Sequence, residues 1–270
     1  MKIKFFAVAC LMILTAFGLP CAAQNDSAKF RFNPKKIEVG TVYHYVKTNV
    51  DGTKPEYVSQ YVAAPDKLEA FKFHPRGSRA ALVIATMDWT IFSARRLESW
   101  QVFAAGKKNL FATLDYSGAA KAVDVSIPST GKPSEKTAIE QLPFHVYNFD
   151  FGSLNFAFRH LANPKTSFII GVADPTFKDN PLFVYRGAAS VRYEGKETRG
   201  GVKCRKYRID GAGLENRGGW IWVNEKLGHI EDMEIALADN PEWTSFKFKL
   251  LKTEKMTRDQ WENFMKAQFS

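Results

Sequence analysis

Histidines are the side chains of this sequence with the widest chemical use, because they bind metals and transfer protons. The five are His44, His74, His145, His160 and His229. None is separated from another as in His-x-His or His-x-x-x-His, and none is paired with a cysteine at the usual zinc spacings. The sequence therefore predicts no metal site and no cofactor. Acid–base catalysis would require distant residues, such as His145, His160 and a carboxylate, to meet in one pocket.

Two segments resemble nucleophile motifs but lack the context that the chemistry needs. Ser129–Lys132 has the Ser-x-x-Lys spacing of a serine nucleophile with a lysine partner, which requires a helix. Pro128 and Pro133 are incompatible with that helix. Residues 151–155 do not form the Gly-x-Ser-x-Gly pattern of a nucleophile elbow. We therefore predict that the protein is not an enzyme.

Three carboxylates occur close together, at Glu231, Asp232 and Glu234. In an extended strand, Asp232 and Glu234 share one face and Glu231 lies on the other. Two carboxylates on one face can carry out acid–base chemistry, but carboxylates usually avoid burial. We therefore expect these residues to form a solvated outer face.

The amino-terminal segment indicates where the protein works. Lys2 and Lys4 precede an apolar run over residues 5–19, and small residues follow at 21–23. This is the pattern of a secretory signal peptide, so residues 1–23 are predicted to be removed by cleavage after Ala23. We expect residues 24–270 to form a single β domain in the bacterial periplasm, with secretion as the second choice.

Charge and cysteine content limit the partners of the exported chain. Loss of Lys2 and Lys4 lowers the formal net charge from +10 to +8. The basic residues are spread along the chain, which indicates a solvated surface or weak contact with an anionic membrane surface. Nucleic acid is not expected, because no aromatic-basic reading motif occurs. Cys204 is left without a partner for a disulfide and is predicted to be a buried apolar residue.

Most of the remaining sequence has the pattern of short strands separated by turns. Phe246, Phe248 and Leu250 alternate with Lys247 and Lys249, which buries one face of a strand and exposes the other. Turn signals recur every ~8–12 residues, a spacing that favours a sandwich or barrel over an α/β fold. We predict a mainly β protein with an antiparallel, curved sheet in the form of a half-barrel or barrel-like structure.

Two internal segments interrupt the strand pattern. The proline-containing, polar segment 128–143 is predicted to be a long loop between two halves of the domain. After it, Leu154, Phe158 and Leu161 have the spacing of one helix face, and Ser153 is a candidate N-cap. They predict a short central helix that plugs or crosses the mouth of the sheet.

A second helix is predicted at the carboxyl terminus. Thr257 and Gln260 have the spacing of a capping box, in which each side chain bonds to the backbone of the other. Trp261, Phe264 and Met265 then form an apolar stripe, which we expect to pack on the sheet.

Aromatic residues give the strongest hint of a ligand. Nineteen phenylalanines, nine tyrosines and six tryptophans lie after residue 23, enough for a core and for the lining of a cavity. A sheet that curls without closing around a packed core can leave an apolar cavity for a hydrophobic guest. The candidate ligand-binding residues on this apolar face are Trp220, Trp222, Phe246, Phe248 and Phe158.

Several segments of the carboxyl-terminal third support a family resemblance. They are Tyr193–Glu197, Cys204–Ile209, Gly218–Val223, Asp232–Ile235 and Phe246–Leu250. Over residues 180–255 the chain resembles a family of exported bacterial proteins of unknown function. The resemblance implies a periplasmic antiparallel β protein, similar in architecture to lipoprotein-carrier half-barrels. It brings no catalytic residues with it.

Together these observations predict non-covalent binding of a hydrophobic or lipid-like molecule in the periplasm. The first alternative is a structural or protein-interaction module of the cell envelope, with a fully packed core and an open edge strand that recruits a peptide. The second is an enzyme of unknown class. A filled interior with an exposed, uncharged edge strand would favour the interaction module over the ligand-binding protein.

Overall fold

The computed structural model of the chain describes residues 24–176, 181–238 and 241–269. The predicted signal peptide, residues 1–23, lies outside the described residues. The strands are β1 (Gln24–Asn25), β2 (Thr41–Thr48), β3 (Glu56–Ala64), β4 (Lys67–Phe73), β5 (Arg79–Asp88), β6 (Ser93–Phe103), β7 (Lys108–Ser117), β8 (Ala122–Ser126), β9 (Glu135–Ala138), β10 (Gln141–Leu142), β11 (Phe144–Val146), β12 (Phe168–Pro175), β13 (Phe183–Arg199), β14 (Val202–Asp210), β15 (Gly219–Asn224), β16 (Ile230–Ile235) and β17 (Phe246–Lys255).

Two α-helices accompany the strands within the described residues, α1 (Gly152–Ala157) and α2 (Arg258–Ala267). Short 3₁₀ helices lie at Ser27–Lys29, Pro34–Lys36, Ala104–Gly106, Pro128–Thr130, Phe158–His160 and Ala212–Leu214. None of the helices in the part of the chain that the structure describes is long and apolar enough to cross a bilayer.

Fifteen strands form one curved sheet that stays open between its two end strands, β11 and β9. The strand order is β11-β12-β13-β14-β15-β16-β17-β2-β3-β4-β5-β6-β7-β8-β9. All neighbours are antiparallel except β11 and β12, and the short strands β1 and β10 form a separate parallel pair. The predicted fold class, mainly β with an antiparallel curved sheet, is confirmed.

The segment predicted as a loop, residues 128–143, contains the last strand of the sheet, β9. Its side chains contact the start of β13, on the far side of the sheet's opening. Thr137 Oγ1 donates a hydrogen bond to the carbonyl oxygen of Phe183 (3.0 Å), and Glu135 accepts one from the backbone N–H of Leu182 (2.6 Å). Side-chain bonds therefore link the end strand β9 to β13, the third strand from the other end of the sheet.

The inner face of the sheet is covered by residues 144–161, here called the inner segment. Every residue of α1 is buried, and Phe151, Leu154 and Phe158 join the same core cluster as the inner-face residues of the strands. Asn155 is bonded to the sheet through its side chain, donating to Tyr45 Oη (3.0 Å) and to Gln60 Oε1 (2.8 Å). The predicted central helix is thus present, and it fills the concave side.

Ser153 does not cap this helix, contrary to the sequence-based expectation. The N-cap position is Phe151, whose backbone is left-handed (φ +49°) and whose side chain makes no capping bond. Ser153 lies one residue into the helix, and its Oγ is 2.8 Å from Nδ1 of His145. The Ser153 hydroxyl is therefore hydrogen-bonded to the buried His145 side chain and not to the backbone N–H groups at the start of the helix.

The carboxyl-terminal helix α2 packs on the outer face of the sheet. The predicted capping box of Thr257 and Gln260 is present. Trp261 and Met265 are buried in a second apolar cluster, and Trp261 stacks on Tyr61 with 5.1 Å between ring centroids. The prediction that the apolar stripe of this helix packs on the sheet is confirmed.

Candidate ligand-binding cleft

The five aromatic residues predicted to bind a ligand lie on two faces of the sheet. Three belong to the inner core cluster: Phe158, Phe246 and Phe248. Trp220 and Trp222 point to the outer face, because side chains alternate along a strand and Ile221 between them is in the inner cluster. The structure therefore brings the three phenylalanines to one side and separates both tryptophans from them.

Cationic side chains cover the two tryptophans on the outer face. Lys206 Nζ is 4.3 Å from the centre of the Trp220 ring, and the Arg199 guanidinium carbon is 4.2 Å from that of Trp222. Arg199 also donates a 2.8 Å hydrogen bond to Asp232. Asp232 is 3 % exposed, so the expectation of a solvated carboxylate is wrong for it. Burial raises the pKa of Asp232 even though the Arg199 guanidinium acts to lower it.

The histidines are held in separate surroundings. His145 is buried, and burial lowers its pKa to about 3. His160 accepts a hydrogen bond from the backbone N–H of Asn33 (3.2 Å), and burial is the largest cause that lowers its pKa to about 4. Within residues 24–176, 181–238 and 241–269, no group of three His, Cys, Asp or Glu side chains is placed to hold a metal ion.

Cys204 is fully buried, as predicted, and burial raises the pKa of its thiol to about 11. A thiol with a raised pKa is seldom the thiolate that reacts, so this residue acts as core packing.

A cleft of about 490 Å³ opens where the inner segment ends, and we call it the Arg159 cleft after the arginine in its wall. Its volume falls in the range of about 300–1,000 Å³ that is typical of small-molecule sites. The apolar part of the wall consists of Tyr43, Phe158, Leu161, Pro164 and Leu227. Leu227 is 56 % exposed and Phe158 is 2 % exposed, so the apolar wall runs from the surface down to the core.

Arg159 is the most unusual residue of this cleft. It is only 5 % exposed, and its guanidinium carbon lies 4.6 Å from the ring centres of both Tyr43 and Phe156. Its Nε and Nη2 atoms are buried and donate to no acceptor among the described residues. No carboxylate oxygen in that part of the chain lies within 4 Å of its nitrogens. Burying a charge in this way is costly unless something pairs with it.

Glu231, two residues after His229 of the cleft wall, has hydrogen-bond partners of its own. Glu231 Oε1 is 2.8 Å from Nε2 of His229 and accepts a 2.6 Å bond from Asn224. Burial acts to raise the pKa of Glu231, but these hydrogen bonds prevail and its pKa is lowered. Glu231 is therefore held as a carboxylate by its own partners.

A tight turn that packs against Arg159 forms another part of the wall. The Asn224 side chain accepts hydrogen bonds from the backbone N–H groups of Lys226 (3.0 Å) and Leu227 (2.8 Å), which fixes Leu227 at the tip. Gly228 follows with φ +75°, and a Cβ at this position would lie 3.1 Å from Cα of Arg159. Glycine is needed here both for the left-handed backbone and for the close approach.

A second cleft, of about 780 Å³, is lined by Lys47, Lys72 and Trp243, and we call it the Lys72 cleft. Here the buried cations are neutralised by the protein itself. Lys72 Nζ is 2.7 Å from Asp150 Oδ2, and Lys47 Nζ is 2.6 Å from Glu56 and 3.5 Å from Asp150.

The comparisons with known proteins concern the fold alone. No family model matches the chain, and no curated protein matches it. A DUF1329 family protein from Desulfovibrio piger has 8 % sequence identity and a TM-score of 0.32, covering 83 % of this chain and 89 % of that one. A putative outer membrane lipoprotein-sorting protein domain from Vibrio parahaemolyticus has 9 % identity and a TM-score of 0.30, covering 84 % and 91 %. The predicted resemblance to proteins of unknown function and to lipoprotein-carrier architectures is confirmed as a resemblance.

Proposed function

We propose that this protein binds a lipid-like molecule non-covalently in the Arg159 cleft and performs no chemical step on it. The observation that supports the proposal is the set of apolar side chains that line the cleft, from the exposed Leu227 to the buried Phe158. Apolar walls with a few polar groups are typical of small-molecule sites. The inner segment fills the concave side of the sheet, so the ligand is expected at its end rather than in the centre of the half-barrel.

The proposed location is the bacterial periplasm. It rests on the signal-peptide pattern of residues 1–23, from Lys2 to Ala23. The basic residues at the mouth of the cleft, Lys35, Lys226 and Lys255, also suit an approach to anionic membrane surfaces, from which a lipid-like ligand would be collected.

The alternative proposal is a protein-interaction module, and the filled inner face favours it. Its second requirement is an open, uncharged edge strand. The edge strand β9 is only four residues long and carries Glu135 and Lys136, and its side chains contact Leu182 and Phe183. Short, charged and covered edges discourage strand addition, so we favour ligand binding.

The test compares two exposed leucines. Leu227 is 56 % exposed in the wall of the Arg159 cleft, and Leu251 is 53 % exposed on the outside of β17. Calorimetric titration with dodecanol and with dodecanoate is expected to show binding of at least one of them. Leu227→Ser should weaken that binding about 3- to 10-fold, because it removes one apolar contact of about 1 kcal/mol, whereas Leu251→Ser should leave it unchanged.

Absence of binding for both twelve-carbon probes in the unmodified protein would overturn the proposed function. Equal weakening by Leu227→Ser and Leu251→Ser would place the ligand elsewhere on the molecule. Thermal unfolding of both variants checks that the fold is intact, which is expected because both side chains are exposed.

A further inference from the structure

We infer that the head group of the ligand is an anion, a carboxylate or a phosphate, and that Arg159 recognises it. The inference rests on the proposed function, since it assigns the polar end of the same ligand. Its basis is Arg159, which lines the cleft and whose buried Nε and Nη2 have no acceptor among the described residues.

The unpaired atoms of Arg159 are the ones that suit a bidentate anion. Nε–H and the adjacent N–H of Nη2 form one edge of the planar guanidinium. That edge matches the two oxygens of a carboxylate or phosphate, and paired N–H···O bonds of this kind are among the strongest in proteins. Because this edge is closed to solvent, we expect the side chain to move when the head group binds.

The aromatic neighbours explain how the cation is kept in place without an anion. The rings of Tyr43 and Phe156 each lie 4.6 Å from the guanidinium carbon, and cation–π contact offsets part of the cost of burial. Lys36 Nζ donates a 2.6 Å bond to the carbonyl oxygen of Arg159, which brings a second positive charge to the same residue. Neither contact provides an acceptor for Nε or Nη2 of Arg159.

The carboxylates in the wall do not neutralise the cleft, because each has a cation of its own. Glu38 pairs with Lys255 (3.0 Å) and Glu254 with Lys252 (2.6 Å). Glu225 pairs with Lys196, which lies on the neighbouring hairpin. The remaining cations of the wall are Arg159, Lys35, Lys36, Arg205 and Lys226.

The positive charges of the cleft affect the pKa of the neighbouring residue His160. His160 has a pKa lowered to about 4, and after burial the causes are the charges of Lys36 and Arg159. A cleft with an apolar wall, one buried guanidinium and further cations nearer the surface selects an amphiphile with a negative head group over a neutral one.

The experiment measures head-group discrimination with four probes: dodecanoate, dodecyl phosphate, dodecanol and inorganic phosphate. The protein is compared with Arg159→Met, which keeps the apolar volume, and with Arg159→Lys, which keeps the charge and loses the planar fork. Arg208→Gln is the matched control, because Arg208 is an outer-face arginine paired with Asp210 (3.1 Å). The unmodified protein is expected to bind dodecanoate or dodecyl phosphate at least 10-fold more tightly than dodecanol.

Arg159→Met is expected to weaken binding of the charged amphiphiles about 10- to 100-fold and to leave dodecanol unchanged, as for loss of hydrogen bonds to a charged group. The affinity of Arg159→Lys for the charged amphiphiles should lie between those of Arg159→Met and the unmodified protein. The affinity of Arg208→Gln should equal that of the unmodified protein. The Nε–H resonance of Arg159, observed by ¹⁵N NMR, should shift with dodecanoate and not with dodecanol. This resonance reports contact with the head group directly, so it also separates recognition from an indirect effect on the fold.

Each other outcome overturns a distinct statement. Equal binding of dodecanoate and dodecanol, with no effect of Arg159→Met, would overturn the head-group inference and leave the proposed function standing. Binding of inorganic phosphate as tight as that of dodecyl phosphate would show a free-anion site and overturn the lipid-like ligand. If Arg159→Met fails to fold, two other measurements test the head-group inference. They are the affinity of Arg159→Lys for dodecanoate and the salt dependence of binding. Salt should weaken binding of the charged dodecanoate and leave binding of dodecanol unchanged.

Discussion

The two clefts differ in how their buried cations are balanced. Tyr43 and Lys47 lie four residues apart on the same face of β2, a distance of about 13 Å, and each marks one cleft. In the Lys72 cleft, two buried lysines are paired with Asp150 and Glu56. In the Arg159 cleft, the buried guanidinium rests on two rings and has no carboxylate within 4 Å among the described residues.

This difference shows that size is a poor guide to the binding site here. The Lys72 cleft is the larger, at about 780 Å³ against 490 Å³. Its charges are satisfied within the fold, as expected of a structural network that docks the inner segment onto the sheet. In the smaller cleft, the buried charge of Arg159 has no carboxylate partner among the described residues, so a bound ligand could neutralise it.

The largest expected effect comes from neutralising the balanced cleft. Asp150→Asn leaves Lys47 and Lys72 buried without that carboxylate, and we expect it to lower the free energy of unfolding by about 3–5 kcal/mol. Asp150 has a left-handed backbone (φ +52°), which asparagine tolerates, so the substitution isolates the charge. Urea unfolding of both proteins measures the difference.

Arg159→Met is the counterpart in the unbalanced cleft. Removing a buried charge that lacks a partner should either lower the free energy of unfolding by less than about 1 kcal/mol or raise it. Similar losses for Asp150→Asn and Arg159→Met would contradict the contrast between the two clefts, because Arg159 would then have to be neutralised within the fold.

The next largest effect on stability for a single group is expected from acid acting on each of two buried histidines. The folded-state pKa values of His145 and His160 are about 3 and about 4, below the ordinary value of 6.5. The unfolded chain therefore takes up protons first as the pH falls, and stability is lost below pH ~6.5. At pH ~4.5 each histidine should cost about 2–3 kcal/mol. Urea unfolding at pH 7 and 4.5 measures the loss, and His145→Asn should reduce it.

The pKa values of the two histidines also test the comparison between the clefts. Because Arg159 is one of the charges that lower the pKa of His160, Arg159→Met should raise that pKa and leave the pKa of His145 in place. An NMR titration of the two imidazoles reports both values. If the pKa of His160 were the same in Arg159→Met as in the unmodified protein, the charge of Arg159 would have no effect on its surroundings in the cleft.

Local sequence patterns predicted the strands and α2 because their causes are local. The alternation through Phe246 and Phe248 determines a two-faced strand, and Thr257 with Gln260 determines a helix start. The pairing of Trp222 with Asp232, and hence the outer position of the tryptophans, depends on which strands become neighbours. Alternation within one strand carries no information on that choice.

Arg159 could not be identified from the sequence for a related reason. A lone arginine in a helical segment is usually a solvated residue. What makes this one unusual is that Glu231, Glu225 and Glu254 are paired with His229, Lys196 and Lys252. The sequence does not show that these pairs leave Arg159 without a carboxylate. The nearest sequence signal is Asn224 followed by Gly228, which predicts a turn, but nothing in it indicates which residue the turn packs against.

A smaller loss of stability than those expected from Asp150→Asn and from acid tests how the turn holds Arg159. Gly228 (φ +75°) and Gly52 (φ +86°) share the left-handed backbone, but only at Gly228 would a Cβ meet a neighbour, the Arg159 backbone and side chain at 3.1–3.6 Å. Gly52→Ala and Gly228→Ala should each cost about 1–2 kcal/mol from backbone strain, with at most about 1 kcal/mol more for Gly228→Ala. Because only Gly228→Ala displaces Arg159, it alone should weaken dodecanoate binding, by several-fold. Equal binding by the two variants in calorimetric titration would mean that the position of Arg159 against this turn does not matter for the head group.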